Sequence, residues 1–157
     1  GAGAFAEAEA ALAEVSRFDL GGCEALLVRR DAARARRRDA EAAALEAERL
    51  AGWPRSPDVS RWPESGEGRL PLCVDGAREG ELLRLALRAE GPALFWWGWD
   101  GGREGVVRIE QGGEAELSVP LSGLGGARTF AIGPVAGAPV RPVRAWIAPA
   151  APETAPR

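Results

Sequence analysis

From residue 69 onward, apolar and polar positions alternate with a period of two. Leu83, Leu85, Leu87 and Ala89 alternate with Arg84, Ala86, Arg88 and Glu90, and Ala115, Leu117 and Val119 alternate with Glu114, Glu116 and Ser118. Val107 and Ile109 oppose Val106, Arg108 and Glu110, while Phe130 and Ile132 oppose Thr129 and Ala131. Successive side chains of a strand point to opposite faces, so these stretches predict half-buried strands. Gly101-Gly102, Gly112-Gly113, Gly125-Gly126 and Gly137 punctuate them. Turns spaced by about a dozen residues are the signature of an antiparallel sandwich. Seven strands are predicted, near 69–75, 81–90, 93–99, 104–110, 114–120, 127–133 and 139–148. Pro139 and Pro142 mark the last as an edge or bulged strand, because proline cannot donate to a ladder.

The heaviest apolar stretch is Pro92 to Asp100, where Trp96, Trp97 and Trp99 gather. In a strand, Phe95, Trp97 and Trp99 share one face and Leu94, Trp96 and Gly98 the other. Both faces are apolar, which predicts a central strand covered on both sides.

Before residue 53 the period is helical. Phe5, Ala8, Leu12 and Val15 make a narrow stripe over residues 4 to 20, and Gly21-Gly22 breaks it. A second helix is predicted from about Cys23 to Ala51, apolar at its start, rich in Arg in its middle and acidic at its end. Gly52 and Pro54 stop it. The two form a hairpin, or one long helix kinked at Gly21-Gly22. So few large apolar residues cannot bury much alone, which implies packing on a partner, on another copy or on missing sequence. The fold class is therefore α+β: an N-terminal helical hairpin or stalk over 1–52, a Pro/Gly linker over 53–68, a seven-stranded antiparallel β-sandwich over 69–148, and a disordered tail over 149–157. Trp53 and Trp62, unusual in a linker, are expected to pin it onto the β unit.

Composition narrows the chemistry. The chain of 157 residues carries a net charge of -3 and contains no His. It also lacks Lys, so every basic residue is Arg. A GC-rich coding sequence explains such a bias. There is no basic excess to draw the whole chain onto nucleic acid, and no run approaches the roughly 18 apolar residues of a membrane span. The chain begins Gly1-Ala2-Gly3 without Met, and is expected to be processed or part of a longer product. Cys23 and Cys73 fall in different predicted segments. They read as two unrelated buried thiols, although an oxidising compartment would let them pair.

Without His or Lys no serine can be activated as a nucleophile, and a zinc site has no ligand set. Glu79 with Glu81, and Glu114 with Glu116, resemble glycosidase carboxylates only in spacing, and read as solvated charge. No phosphate-binding loop follows a strand. The chain reads as non-catalytic, with no cofactor and no metal.

What remains is a surface. With Phe95, Trp97 and Trp99 inward, Trp96 points the other way, and on the last strand Trp146 points with Arg144. Arg84, Arg88 and Arg108 also face outward. Flat indoles flanked by guanidinium groups stack on sugar rings or anchor a protein partner. Trp96, Trp146, Arg144 and Arg108 are the candidate binding residues, unless the linker or the helices cover them.

Two resemblances add to this. Ala93-Leu94-Phe95-Trp96, Asp100-Gly101-Gly102, Leu121, Thr129 to Pro134, Gly137 and Val140 to Ile147 together resemble the accessory β-sandwich module of bacterial glycosyltransferase and surface-polysaccharide proteins. That resemblance implies a non-catalytic module. Arg17-Phe18-Asp19-Leu20-Gly21, then Leu26, Val28 and a long Ala/Arg/Glu helix ending Leu50-Ala51-Gly52, resembles the last helical hairpin of outer-membrane efflux factors. That one implies a self-associating stalk.

The leading expectation is an interaction or assembly module of a bacterial cell-envelope or surface-polysaccharide system. One alternative is a carbohydrate-binding module with Trp96 and Trp146 as its platform. Another is the C-terminal fragment of an efflux-type protein with an added β domain. The expected partners are a protein, or self-association through the N-terminal helices, or a glycan.

Overall fold

The computed structural model describes residues 22–75 and 81–149. The helix expected over 4–20 and the tail beyond Pro149 lie outside the described residues. Two helices, α1 (Cys23–Ala35) and α2 (Asp39–Gly52), precede seven strands: β1 (Gly68–Val74), β2 (Leu82–Ala89), β3 (Ala93–Trp99), β4 (Gly105–Ile109), β5 (Gly113–Pro120), β6 (Gly126–Gly137) and β7 (Val140–Ala148). All pairings are antiparallel and fall into two sheets, of order β1-β6-β3-β4 and β5-β2-β7.

The alternation of the sequence becomes one buried core shared by both sheets. Leu70, Leu72, Phe95, Trp99, Phe130 and Ile132 enter it from the four-stranded sheet; Leu83, Leu85, Leu87, Val119 and Ala145 enter from the other. Phe130 sits at its centre, with Trp99 edge-on at 5.2 Å and Trp97 stacked at 6.2 Å between ring centroids. β7 lies at a sheet edge, and its register against β2 slips between Ala86 and Leu87, where Pro142 takes the place opposite Leu87. A proline there removes a ladder donor, so the strand bulges instead of continuing. β6 runs past Pro134 to Gly137, with its own slip opposite Leu94 and Phe95.

Three indoles lie on glycines. A Cβ on Gly133 would overlap the Trp96 ring, one on Gly105 the Trp97 ring, and one on Gly68 the Trp62 ring. Trp96 faces Gly133 and Trp97 faces Gly105 across adjacent strands. Gly133, inside β6, weakens its strand but leaves a flat bed on which the Trp96 ring is buried; Gly105 and Gly68, at the starts of β4 and β1, do the same for the half-buried Trp97 and Trp62.

The predicted single helix over 23–51 is two. Arg37 takes a left-handed conformation (φ 59°). The Arg38 N–H donates to Ala33 O at 2.9 Å and the Arg37 N–H to Arg34 O at 3.1 Å, the pair of bonds of a Schellman stop. An arginine occupies the place usually held by glycine, so nothing in Ala35-Arg36-Arg37-Arg38-Asp39 advertised the break. The hairpin closes on Leu26, Ala33, Ala42 and Leu45, and Trp53 packs here and not on the β core. This break also removes the long continuous helix that the efflux-factor resemblance implies.

The hairpin of α1 and α2 is tied to the β unit at its start. Cys23 and Cys73 are joined in a disulfide, which corrects the expectation of two separate thiols. The start of α1 meets the end of β1, a contact that no local periodicity reports. A crosslink spanning 50 residues stabilises by about 4 kcal/mol on the loop-entropy account. Beside it, buried Arg30 reaches Asp75 at 2.6 Å, Glu46 at 2.7 Å and Asp31 at 3.1 Å. Buried Arg49 holds Glu46 at 2.6 Å and donates to Cys73 O at 3.0 Å. The Arg49 guanidinium first, and Arg30 after it, hold the Glu46 carboxyl at about 2 against the opposing cost of partial burial.

Two outcomes follow from this packing. Gly133→Ala should cost about 1–3 kcal/mol, as overpacking against a rigid ring does; a denaturant melt with an unchanged midpoint would contradict the account of Trp96. Glu46 stays ionised to about pH 2 when folded, against an ordinary value of 4.5. Its contribution is therefore full above pH 4.5 and is lost as pH falls from there toward 2. Glu46→Gln should lower stability by about 2 kcal/mol at neutral pH, between the values for exposed and buried pairs. Melts over a pH series should show the two proteins converging in acid; a gap independent of pH would contradict the ion-pair account.

Candidate functional site

The four residues singled out from the sequence do not come together. Trp96 does point away from the core, but it is only 6% exposed. Gly133 lies beneath its ring and the Arg103 guanidinium stacks over it at 4.7 Å. A ring closed on both faces is no platform, so the paired Trp96 and Trp146 surface is corrected. Trp146 stands on the other sheet, half-buried, with Arg144 stacked on it at 4.4 Å. Arg108 is exposed on β4, beside Glu110 in a groove of about 480 Å³ that is otherwise lined by Pro92, Ala93, Leu94, Ile109, Ala136 and Gly137.

Arg144 belongs to a different groove, of about 430 Å³, between the linker and β7. One wall is Ser56, Pro57, Asp58, Val59, Ser60 and Trp62; the other is Arg141, Pro142, Val143, Arg144 and Ala145. The linker wall is anchored at several points. The Ile147 N–H donates to Arg55 O at 2.7 Å, so the linker partly occupies the free edge of β7. The Arg55 side chain pairs with Glu81 at 3.2 Å. Glu81 is buried, not solvated as its place at a strand edge suggested; Glu79 lies outside the described residues. Val59 and Trp62 pack on the core, and Trp62 rests on Gly68. Trp62 thus pins the linker to the β unit as the sequence predicted.

Between these anchors the chain turns tightly. Asp58 accepts the Ser60 N–H at 2.8 Å, and the Trp62 N–H donates to Val59 O at 3.1 Å. The Asp58 carboxyl lies below its ordinary value, chiefly because the Ser60 N–H and hydroxyl donate to it. It is exposed and faces an aqueous groove as an acceptor. Across the groove, Arg141 and Arg144 are exposed donors on β7. A half-buried indole, two hydroxyls, one carboxylate and two guanidinium groups can hold a polar ligand by stacking and hydrogen bonds. Asp58, Ser56, Ser60 and Arg141 were missed from the sequence. The Pro57-Asp58-x-Ser60 turn beside an out-of-place Trp62 was the available signal.

The outer face of the three-stranded sheet continues from this groove. In register lie Ser118, Arg84 and Trp146, then Glu116, Ala86 and Arg144, then Glu114, Arg88 and Arg141. Arg84 pairs with Glu116 at 3.2 Å and Arg88 with Glu90 at 3.8 Å. Acid on β5 therefore balances part of β2, while the arginines of β7 stand further from it.

No family model matches the chain, and no curated protein does. Among solved structures, the CBM36-1 domain of a multidomain xylanase from the hindgut metagenome of Trinervitermes trinervoides is similar. The two are 13% identical with a TM-score of 0.42, over 56% of this chain and 76% of that one. Among the described residues no helix is long and apolar enough to cross a membrane.

The anchoring of the groove is testable at its bed. Gly68→Ala should lift Trp62, raise the fraction of indole fluorescence open to acrylamide and expose residues 55–62 to limited proteolysis. Unchanged quenching and cleavage would show that Trp62 does not hold the linker.

Proposed function

We propose that this chain is a non-catalytic, carbohydrate-binding β-sandwich module whose ligand lies between residues 56–62 and β7. The groove carries the reading. It offers the edge of Trp62, acceptors at Asp58, hydroxyls at Ser56 and Ser60, and donors at Arg141 and Arg144 along one open trough. Sugars present hydroxyl groups that donate and accept at once, together with apolar ring faces, and a trough with both kinds of partner beside an indole suits them. An open trough also suits a chain longer than itself. No residue here is asked to break a bond: with no His, the chain lacks the commonest general base.

The Cys23–Cys73 disulfide supports an oxidising setting such as the cell envelope or the exterior. Assembly through the N-terminal helices of residues 1–52 is a further proposal, and residues 1–21 of that segment lie outside the described residues.

Native gel electrophoresis through matrices carrying soluble polysaccharides tests the reading. Retardation by at least one polymer, without release of reducing ends, is the expected result. Unretarded migration through a broad panel of neutral and acidic polymers, by a chain with native circular dichroism, would overturn it.

A further inference from the structure

We infer that the groove selects an acidic polysaccharide, one whose sugars carry carboxylate groups. The inference rests on the carbohydrate-binding reading and narrows it. Its basis is an imbalance of charge. The chain as a whole is acidic, at -3. Yet β7 presents Arg141 and Arg144 side by side on the groove wall, and neither forms an ion pair with a carboxylate among the described residues. Arg88, on the neighbouring strand, stands opposite Arg141 in the register, and among the described residues its ion pair is the distant one with Glu90, at 3.8 Å. Arg69, exposed on β1, is by contrast paired with Glu67 at 3.0 Å. The stack of Arg144 on Trp146 holds its guanidinium plane in place at 4.4 Å. A guanidinium fixed in this way offers a planar fork to a carboxylate at lower entropic cost than a free one.

The opposite wall decides between kinds of anion. Asp58 is acceptor-only there, and Ser56 and Ser60 add hydroxyls. An acidic peptide would bring carboxylates to both walls and be repelled at Asp58. A sugar acid brings carboxylates to Arg141 and Arg144 and hydroxyl donors to Asp58 at the same time. The groove is thus complementary in two senses, charge on one side and hydroxyl on the other.

The test uses the full chain and three probes at low salt: polygalacturonate, the same polymer with its carboxyls reduced, and polyglutamate of similar length. Polygalacturonate should bind about tenfold tighter than its reduced form, which is 1.4 kcal/mol. The gap should shrink as salt is raised past the physiological range, where the screening length falls below about 8 Å. Arg141→Gln and Arg144→Gln should each erase most of the gap, by weakening polygalacturonate far more than its reduced form. Arg108→Gln makes the same charge change on the other sheet and should alter nothing. Equal binding of the acidic and reduced polymers would overturn this inference and leave carbohydrate binding standing. Polyglutamate binding as tightly as polygalacturonate, or an Arg108→Gln effect as large as that of Arg141→Gln, would also overturn it. Failure of every sugar polymer to bind would overturn both readings together.

Discussion

An indole laid on the bare Cα of a glycine is the contact on which this structure depends. It occurs at Trp96 on Gly133, at Trp97 on Gly105 and at Trp62 on Gly68. A glycine inside a strand is unfavourable by itself, by about 0.5–1 kcal/mol. Burying most of a large side chain offsets that by about 1.5–3 kcal/mol. The first two contacts knit β3 to β6 and β4 within one sheet. The third does something different: it fastens a segment with no regular structure against the β unit. Together with the Arg55 contacts and Val59 it holds residues 55–62 in place as one wall of the groove beside β7.

The other tie is polar. The helical hairpin is held at the ends of β1 and β6 by the Cys23–Cys73 bond and by the arginine–carboxylate network around Glu46. Glu24 lies against Gly126, where a side chain on β6 would collide with it. The hairpin therefore occupies one end of the four-stranded sheet. The outer face of the three-stranded sheet, in contrast, carries Arg84, Arg88, Arg144 and Trp146 with no helix packed on it among the described residues. The division of labour between the sheets follows: one carries the hairpin at its end, the other borders the groove.

Much of this was legible in the chain. Period-two alternation marked β2, β4, β5 and β6, because half-buried strands must alternate, and the aromatic run marked β3. Pro142 announced the edge position of β7, and Trp62 its own role as a pin. Local pattern reports facing, and facing was right for Phe95, Trp97 and Trp99. It does not report what covers the other side, so Trp96 looked free when Arg103 and Gly133 enclose it. It does not report which sheet a strand joins, so Trp96 and Trp146 looked like neighbours. The left-handed Arg37 and the disulfide were hidden for related reasons: one uses a residue that rarely stops helices, the other joins residues 50 apart. The groove was hidden because half of it is linker, where no period exists to be read.

The central claim is a place as much as a ligand. Backbone amide shifts of the isotopically labelled chain, followed by NMR as a bound oligosaccharide is titrated in, test that place most directly. The account predicts that the largest changes fall on Ser56 to Trp62 and on Arg141 to Ala145 together, with the core amides of β3 and β6 unmoved. Changes centred instead on Arg108, Glu110 and Ala136, or on the hairpin around Glu46, would contradict it.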